Sequence, residues 1–402
     1  MMLRNTYDLI VVGVGAMGSA ALCQAALRGV RVLGIDRFEP PHEFGSSHGE
    51  TRITRQAIGE GAEFVPLVLR SNVLWRELEA ATGEILMVQN GGLVLLDAVA
   101  GQTEGPGGDF FARTVASAGQ YSIAHEMLTA DGIRSRYPQF RVQDGAQGYF
   151  EPGAGFLYPE RCIAAQLKVA AAKGARLQTG EIVTAIRTDS FGVEVTTNRG
   201  QYRAGGVVLS PGPWMSGWAR QICGLPEDVF SVYRQTLYWF ALQKPNPSFL
   251  PESMPIFIWN SMQIEKGFYG FPTLDGVSIK VATEQLVSTS NPDEGPVEVS
   301  SAEKLAFYEQ FVTEGLIGLS DQCLRAKTCF YTVVPDHKFV IDHAVESDRI
   351  WFASACSGHG FKHSAAIGEA LVLKALGESP TTDLGPFTRN RRFLGFATLR
   401  SG

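Results

Sequence analysis

The chain has little cysteine for its length: Cys23, Cys162, Cys223, Cys323, Cys329 and Cys356 are the only six in 402 residues. None stands in a C-x-x-C pair, so a zinc ribbon and a disulfide framework are both excluded as organising devices, and a chain this long buries enough core to need neither. Positive charge is not in excess either. Thirty-five lysines and arginines face 41 acids, a formal charge of −6, which argues against a nucleic-acid surface. No run approaches the roughly 20 apolar residues of a membrane span. The apolar run at Leu9–Val12 is strand length and ends in glycine, unlike the core of a signal peptide. A soluble, cytoplasmic protein is expected. There is no internal repeat and no low-complexity stretch.

Glycine is plentiful, 44 residues, and its most informative placements are near the two ends of the chain. Leu9–Val12 reads as a buried strand, Ala16–Leu27 has helical spacing, and Val30–Ile35 is a second strand ending at Asp36. Between the first strand and the helix stands Gly13-x-Gly15-x-x-Gly18. Gly13 permits a tight turn, Gly15 lets the backbone approach a pyrophosphate, and Gly18 allows close helix–strand contact. The helix N-terminus adds N–H donors and partial positive charge, and Asp36 is placed to accept from ribose hydroxyls. Alone the motif is weak. With strand, helix and acid all in position it indicates an adenine dinucleotide.

Further on, Leu67–Leu78, Arg161–Ala172, Ala302–Gly315 and Ala365–Leu376 read as helices. A polar loop is expected from Gly45 to Arg55 and a glycine-rich one over Gly101–Gly108. Gly92–Leu96, Ile182–Thr188, Val193–Thr197 and Gly206–Leu209 read as strands, and the last leads into Pro211-Gly212-Pro213-Trp214. The aromatic-rich strands Leu237–Leu242, Ile256–Trp259 and Gly267–Phe271 alternate as an antiparallel sheet does. Near the C-terminus Ile350–Ala353 is a buried strand, followed by the turn Ser357-Gly358-His359-Gly360-Phe361-Lys362 and a helix. Such a turn aims N–H groups, and here a lysine, at whatever lies before it. Cofactor contacts at both ends and in the middle fit FAD, which is long enough to span a sheet, better than a nicotinamide dinucleotide. The expected fold is α/β (α+β). A Rossmann-like FAD domain is built from residues 1–84, 151–224 and 326–402, with a substrate domain of 85–150 and 225–325 inserted and carrying a mostly antiparallel sheet.

These segments, with Ser47-His48-Gly49-Glu50-Thr51-Arg52-Ile53-Thr54-Arg55, Gly59-Glu60-Gly61, Gly267 to Pro272 and Cys329-Phe330-Tyr331-Thr332, resemble the monomeric sarcosine oxidase and N-methyltryptophan oxidase family. That family also includes pipecolate and fructosyl-amino-acid oxidases. The likeness runs from Tyr7 to about Leu376. It implies an FAD-dependent amine oxidase that acts as a monomer, oxidising a secondary amine of an amino acid to an imine and reducing O2 to hydrogen peroxide. It implies FAD joined covalently through Cys329, and further cofactor contacts at Ser47, Val183, Gly358 and Gly360. Arg55 and Lys362 match the pair that holds the substrate carboxylate, with Tyr269 beside them. Arg52, His48 and Tyr331 match residues near the flavin, and Lys280 matches the lysine that activates oxygen. A fixed cation there favours the anion formed when dioxygen gains its first electron. Four residues beyond Lys280 the sarcosine-type enzymes carry histidine, whereas this chain has Glu284. That acid draws the expectation toward a larger or polyhydroxylated amine. A fructosyl-amino-acid or pipecolate-type oxidase, and a dehydrogenase passing electrons to a carrier, stay open at this stage.

Overall fold

A computed structural model describes residues 6–97, 106–261 and 267–391. Two eight-stranded sheets and a small three-stranded one organise the chain. The first sheet begins with the strand Thr6–Val12, whose apolar run is almost wholly buried. It pairs in parallel with Val32–Ile35 on one side and with Gln201–Leu209 on the other. Ser347–Ser354 adds in parallel beyond Gln201–Leu209, and Val183–Asp189 with Gly192–Thr197 forms an antiparallel flap. Covering helices occupy one face: Ala16–Leu27, Pro159–Ala172 and Ser364–Ala375. The first and last of these are apolar around most of their circumference, because each is packed by sheet and by neighbouring helices.

The second sheet runs in the order Leu319–Val333, Ser231–Leu242, Ser278–Thr283, Phe268–Gly270, Ile256–Ser261, Gly92–Asp97, Gln147–Glu151, Glu126–Thr129. Every neighbouring pair is antiparallel except Ile256–Ser261 with Gly92–Asp97. Its far face packs an aromatic core around Tyr238, Phe240, Phe257, Phe307 and Phe311. Its near face presents Leu237, Trp239, Ala282 and Cys329 toward the first sheet. The third sheet joins Arg52–Thr54, Gly155–Leu157 and Met87–Val88 between the other two.

The α/β architecture with an antiparallel second sheet is the one expected. Local details differ. The loop expected from Gly45 to Arg55 contains the strand Arg52–Thr54, which borrows its partner from Gly155–Leu157. Of the loop expected over 101–108, residues 101–105 lie outside the described residues, and Pro106 opens a helix to Gln120. The helix expected over Ala302–Gly315 starts at a capping box on Ser300 and Glu303 but is broken by a π turn at Tyr308–Val312.

Candidate active site

One cavity of about 500 Å³ runs between the two large sheets. Its floor is the glycine turn. Gly13 has φ of +80°, and a Cβ there would stand 2.5 Å from the Ser210 carbonyl. A Cβ on Gly18 would fall 1.8 Å from the Gly13 carbonyl oxygen. At Gly15, by contrast, a Cβ would meet nothing within 4 Å, and this residue lines the cavity. Two glycines therefore close the turn on itself and the third keeps it open to a ligand. Asp36 serves the turn as well. Its Oδ2 accepts from the Val14 amide at 2.7 Å and its Oδ1 from Phe38 at 2.8 Å, while its side chain stays on the cavity wall. Ser47, Val183, Gly358 and Gly360 all line the same space.

Arg55, Glu60 and Lys362 form one charged cluster on this cavity. Arg55 is buried, donates to the Ala57 carbonyl at 2.6 Å, and pairs with the Glu60 carboxylate. Its guanidinium lies 4.9 Å from the centre of the Phe110 ring. Burial works to raise the Glu60 carboxyl, but Arg55, His359 and Lys362 outweigh it and hold it below the usual carboxylate range. Burial and then Arg55, against Glu60, bring the Lys362 ammonium down to about 7. Lys362 Nζ donates to the His359 carbonyl at 2.7 Å. The sequence segment containing Glu60 is recognisable, but its role as counter-ion follows only from the fold. Its one local signal is its place between Gly59 and Gly61.

A second cluster gathers around Arg52. This guanidinium donates to the carbonyls of Ser46 and Thr51, each at 2.8 Å, and lies 4.0 Å from Cys329 Sγ. Tyr269 and Tyr331 meet hydroxyl to hydroxyl at 3.3 Å, and both line the cavity. Glu284 lines it too; a Cβ on Gly358 would sit 2.8 Å from Glu284 Oε1 and 3.0 Å from the Tyr331 ring. Gly358 has φ of +81°, so glycine is needed there twice over. Glu284 stands one residue past the end of the strand Ser278–Thr283 that carries Lys280, and only Glu284 of the two lines the cavity.

Four expected residues do not line the main cavity: Gly18, packed inside the glycine turn, and Cys329, His48 and Lys280. Cys329 is buried behind it, and burial raises its thiol against the pull of Arg52 and Lys280. It is Cys356 that lines the wall. His48 is 1% exposed with both ring nitrogens unpartnered, and burial followed by Arg52 lowers it to about 4. Lys280 is also buried. Its ammonium donates to Gly49 O and Thr51 O, each at 2.7 Å, and rests 4.6 Å from the Phe271 ring centre. Burial and then Arg52 push it well below its usual value.

The cavity suits a long ligand with a phosphate at one end and polar edges elsewhere. Its wall leaves Arg55 Nε, Asn260 Nδ2, Thr332 Oγ1 and His359 Nδ1 buried and without partners, an arrangement that a polar ligand relieves. Among the described residues no cluster of metal ligands occurs, and no helix is long and apolar enough to cross a membrane. Fold and site together define a dinucleotide-binding oxidoreductase. Residues 8–373 match the family of FAD dependent oxidoreductases called DAO, and the chain belongs to it. It is 36% identical over 389 residues to a monomeric sarcosine oxidase of Streptomyces avermitilis, covering 96% of this chain and 98% of the relative. It is 34% identical over 388 residues to an N-methyl-L-tryptophan oxidase of Citrobacter koseri, covering 96% and 99%. A structure of a NikD variant, described as an unusual amino acid oxidase essential for nikkomycin biosynthesis, superimposes with a TM-score of 0.80 at 25% identity over 96% of this chain and 97% of that one. The protein is an FAD-dependent oxidoreductase.

Proposed function

We propose that the protein oxidises the secondary amine of an N-methyl or similarly N-substituted amino acid to an imine, which water hydrolyses to amine and aldehyde, with O2 reduced to H2O2. The observation that carries this reading is the Arg55–Lys362 pair on a cavity continuous with the glycine cradle. An arginine fork and a lysine point charge suit one carboxylate. Holding that carboxylate fixes the carbon next to the amine nitrogen for reaction. FAD supplies the two-electron acceptor. The chain's own groups bind and orient the amino acid, and Tyr269 and Tyr331 flank the reacting end. Lys280, buried near Arg52, is the cation proposed to favour oxygen reduction. The sarcosine and N-methyl-L-tryptophan oxidase relatives support this substrate class. The term monomeric in a relative's name supports a monomer, and a cytoplasmic location accords with a chain in which no membrane span is found among the described residues.

The nucleotide domain is proposed as 1–84, 151–224 and 326–402, around the first sheet, with the substrate domain as 85–150 and 225–325. Cys329 is proposed as the covalent attachment point, supported by the Arg52 guanidinium 4.0 Å from its sulfur, whose pull toward thiolate opposes the rise that burial imposes. Glu284 on the cavity wall favours a second reading, a fructosyl or other hydroxylated amine, because a carboxylate accepts from hydroxyl donors.

The deciding experiment is a visible spectrum before and after acid precipitation, on wild type, Cys329→Ala and Cys356→Ala, followed by a peroxide-coupled screen of N-methyl, cyclic and fructosyl amino acids. Yellow colour retained in the wild-type pellet and lost only from Cys329→Ala is expected. Colour freely released from the wild type refutes the covalent link. Substrate turnover without peroxide refutes the oxidase assignment in favour of a dehydrogenase.

A further inference from the structure

Asn260 lines the cavity, yet neither the glycine cradle nor the Arg55–Lys362 pair gives it a task. It belongs to the strand Ile256–Ser261, whose side chains alternate between faces. Phe257 and Trp259 enter the aromatic core on the far side, so Ile258 and Asn260 face the cavity. Asn260 Nδ2 is buried there without a partner. An unpaired buried amide is unfavourable, and an apolar residue of the same size would avoid the loss. The position suits a donor held ready for a ligand.

The register of three strands sets what stands beside it. Trp259 pairs with Phe268, and Phe268 with Thr283. One step further in the same direction come Asn260, Gly267 and Glu284, and all three line the cavity. Contacts hold this row together. A Cβ on Gly267 would stand 3.2 Å from Asn260 Oδ1, and the Gly267 carbonyl accepts from Thr283 Oγ1 at 2.6 Å. Neighbouring strands lie about 4.8 Å apart, which sets the backbones of Asn260 and Glu284 roughly 10 Å apart. Gly267 puts no side chain between them. The row is therefore a notch with an amide donor on one side and a carboxylate acceptor on the other. The Glu284 side is the one next to Tyr331, since a Cβ on Gly358 would touch both.

We propose that this notch is a subsite for a hydroxyl-bearing substituent of the amine, with Asn260 as the residue that reads its far end. The inference rests on the amine-oxidase reading above and names the substituent that its substrate carries. A hydroxyl both donates and accepts, so a chain with hydroxyls on adjacent carbons gives a proton to Glu284 and receives one from Asn260 Nδ2 in hydrogen bonds. An alkyl chain satisfies neither group. A second carboxylate would meet Glu284 as a like charge, and an ammonium would leave Asn260 unpaired.

The test is steady-state kinetics of the holoenzyme on sarcosine, N-(2,3-dihydroxypropyl)glycine and its N-(2-methylbutyl) isostere, using wild type, Asn260→Leu and Asn260→Ala. Wild type should prefer the dihydroxypropyl compound to its isostere by at least about 10-fold in kcat/KM, as a site built around hydroxyls does. That ratio should fall toward one in Asn260→Leu and in Asn260→Ala. A wild-type ratio near one, or a ratio that both variants leave as it was, overturns the subsite. If sarcosine is oxidised in that case, the amine-oxidase reading stands and the subsite alone fails. If flavin-bearing wild type oxidises none of the three, the reading beneath the subsite fails and takes the subsite with it.

Discussion

Glu60 accepts a charged hydrogen bond from the Arg55 guanidinium inside the cavity, so the arginine proposed to hold a substrate carboxylate already carries a carboxylate of its own. Lys362, brought down to about 7, is then the group whose charge decides how well a second anion is received. Its ammonium is present below that pH and lost as pH rises through it. A non-oxidisable carboxylate such as acetate should therefore bind best below about 7 and weaken above it. Glu60 raises the Lys362 value, so Glu60→Gln should move the falling limb to lower pH. Flavin absorbance titrations across pH measure both effects. A limb unmoved in Glu60→Gln and in Lys362→Met would show that some other group sets it.

Gly15 and Gly18 should fail in different ways. Gly15 has negative φ and open space before it, so Gly15→Val should leave the fold intact and block the nucleotide. Gly18→Ala drives a Cβ into the Gly13 carbonyl, where backbone must shift. The expected outcome is a colourless but cooperative melt for Gly15→Val and a lowered melting temperature for Gly18→Ala even as apoprotein. Calorimetry with a flavin assay separates them.

Glu284 shares the cavity wall with Tyr269 and Tyr331. Replacing it with the histidine of sarcosine-type enzymes should move kcat/KM toward small N-methyl amino acids and away from hydroxylated amines. A change of about 10-fold in the ratio, near 1.4 kcal/mol, is reasonable for one pocket contact. Steady-state assays on one substrate of each kind check it, and a constant ratio would remove Glu284 from the specificity argument.

Glu369 on the last helix is 3% exposed and accepts from Arg70 Nε at 2.8 Å and Nη2 at 2.7 Å. Burial opposes its ionisation, but Arg70 and Arg28 win and hold its carboxyl below the usual value. Its stabilisation is thus present above the unfolded carboxyl value and disappears as pH falls through the lowered one. Glu369→Ala should cost about 2 kcal/mol at neutral pH, since it strands a half-buried guanidinium, and less in acid. Urea denaturation at two pH values measures this.

The glycine motif, its flanking strand and its helix were legible because each depends on local rules: apolar runs, helical spacing and backbone freedom. The helix Ala16–Leu27 matches its expected span. The strand Arg52–Thr54 was not legible, because three polar and β-branched residues become a strand only when Gly155–Leu157, a hundred residues away, supplies the hydrogen bonds. The π turn at Tyr308–Val312 was hidden for a related reason: tertiary packing of Phe307 and Phe311 overrides a helical pattern.

By itself the sequence determined the dinucleotide turn, the strand-to-helix rhythm and the list of charged residues from which a site is made, since those follow from steric and periodic rules along the chain. Only the tertiary structure decided which charges meet. It set Glu60 against Arg55 and Lys362, placed Cys356 on the cavity wall with Cys329 behind it, and turned Lys280 away from the main cavity toward Gly49 and Thr51. Electrostatic and hydrogen-bond partners are fixed by distance and burial, and those are properties of the folded chain.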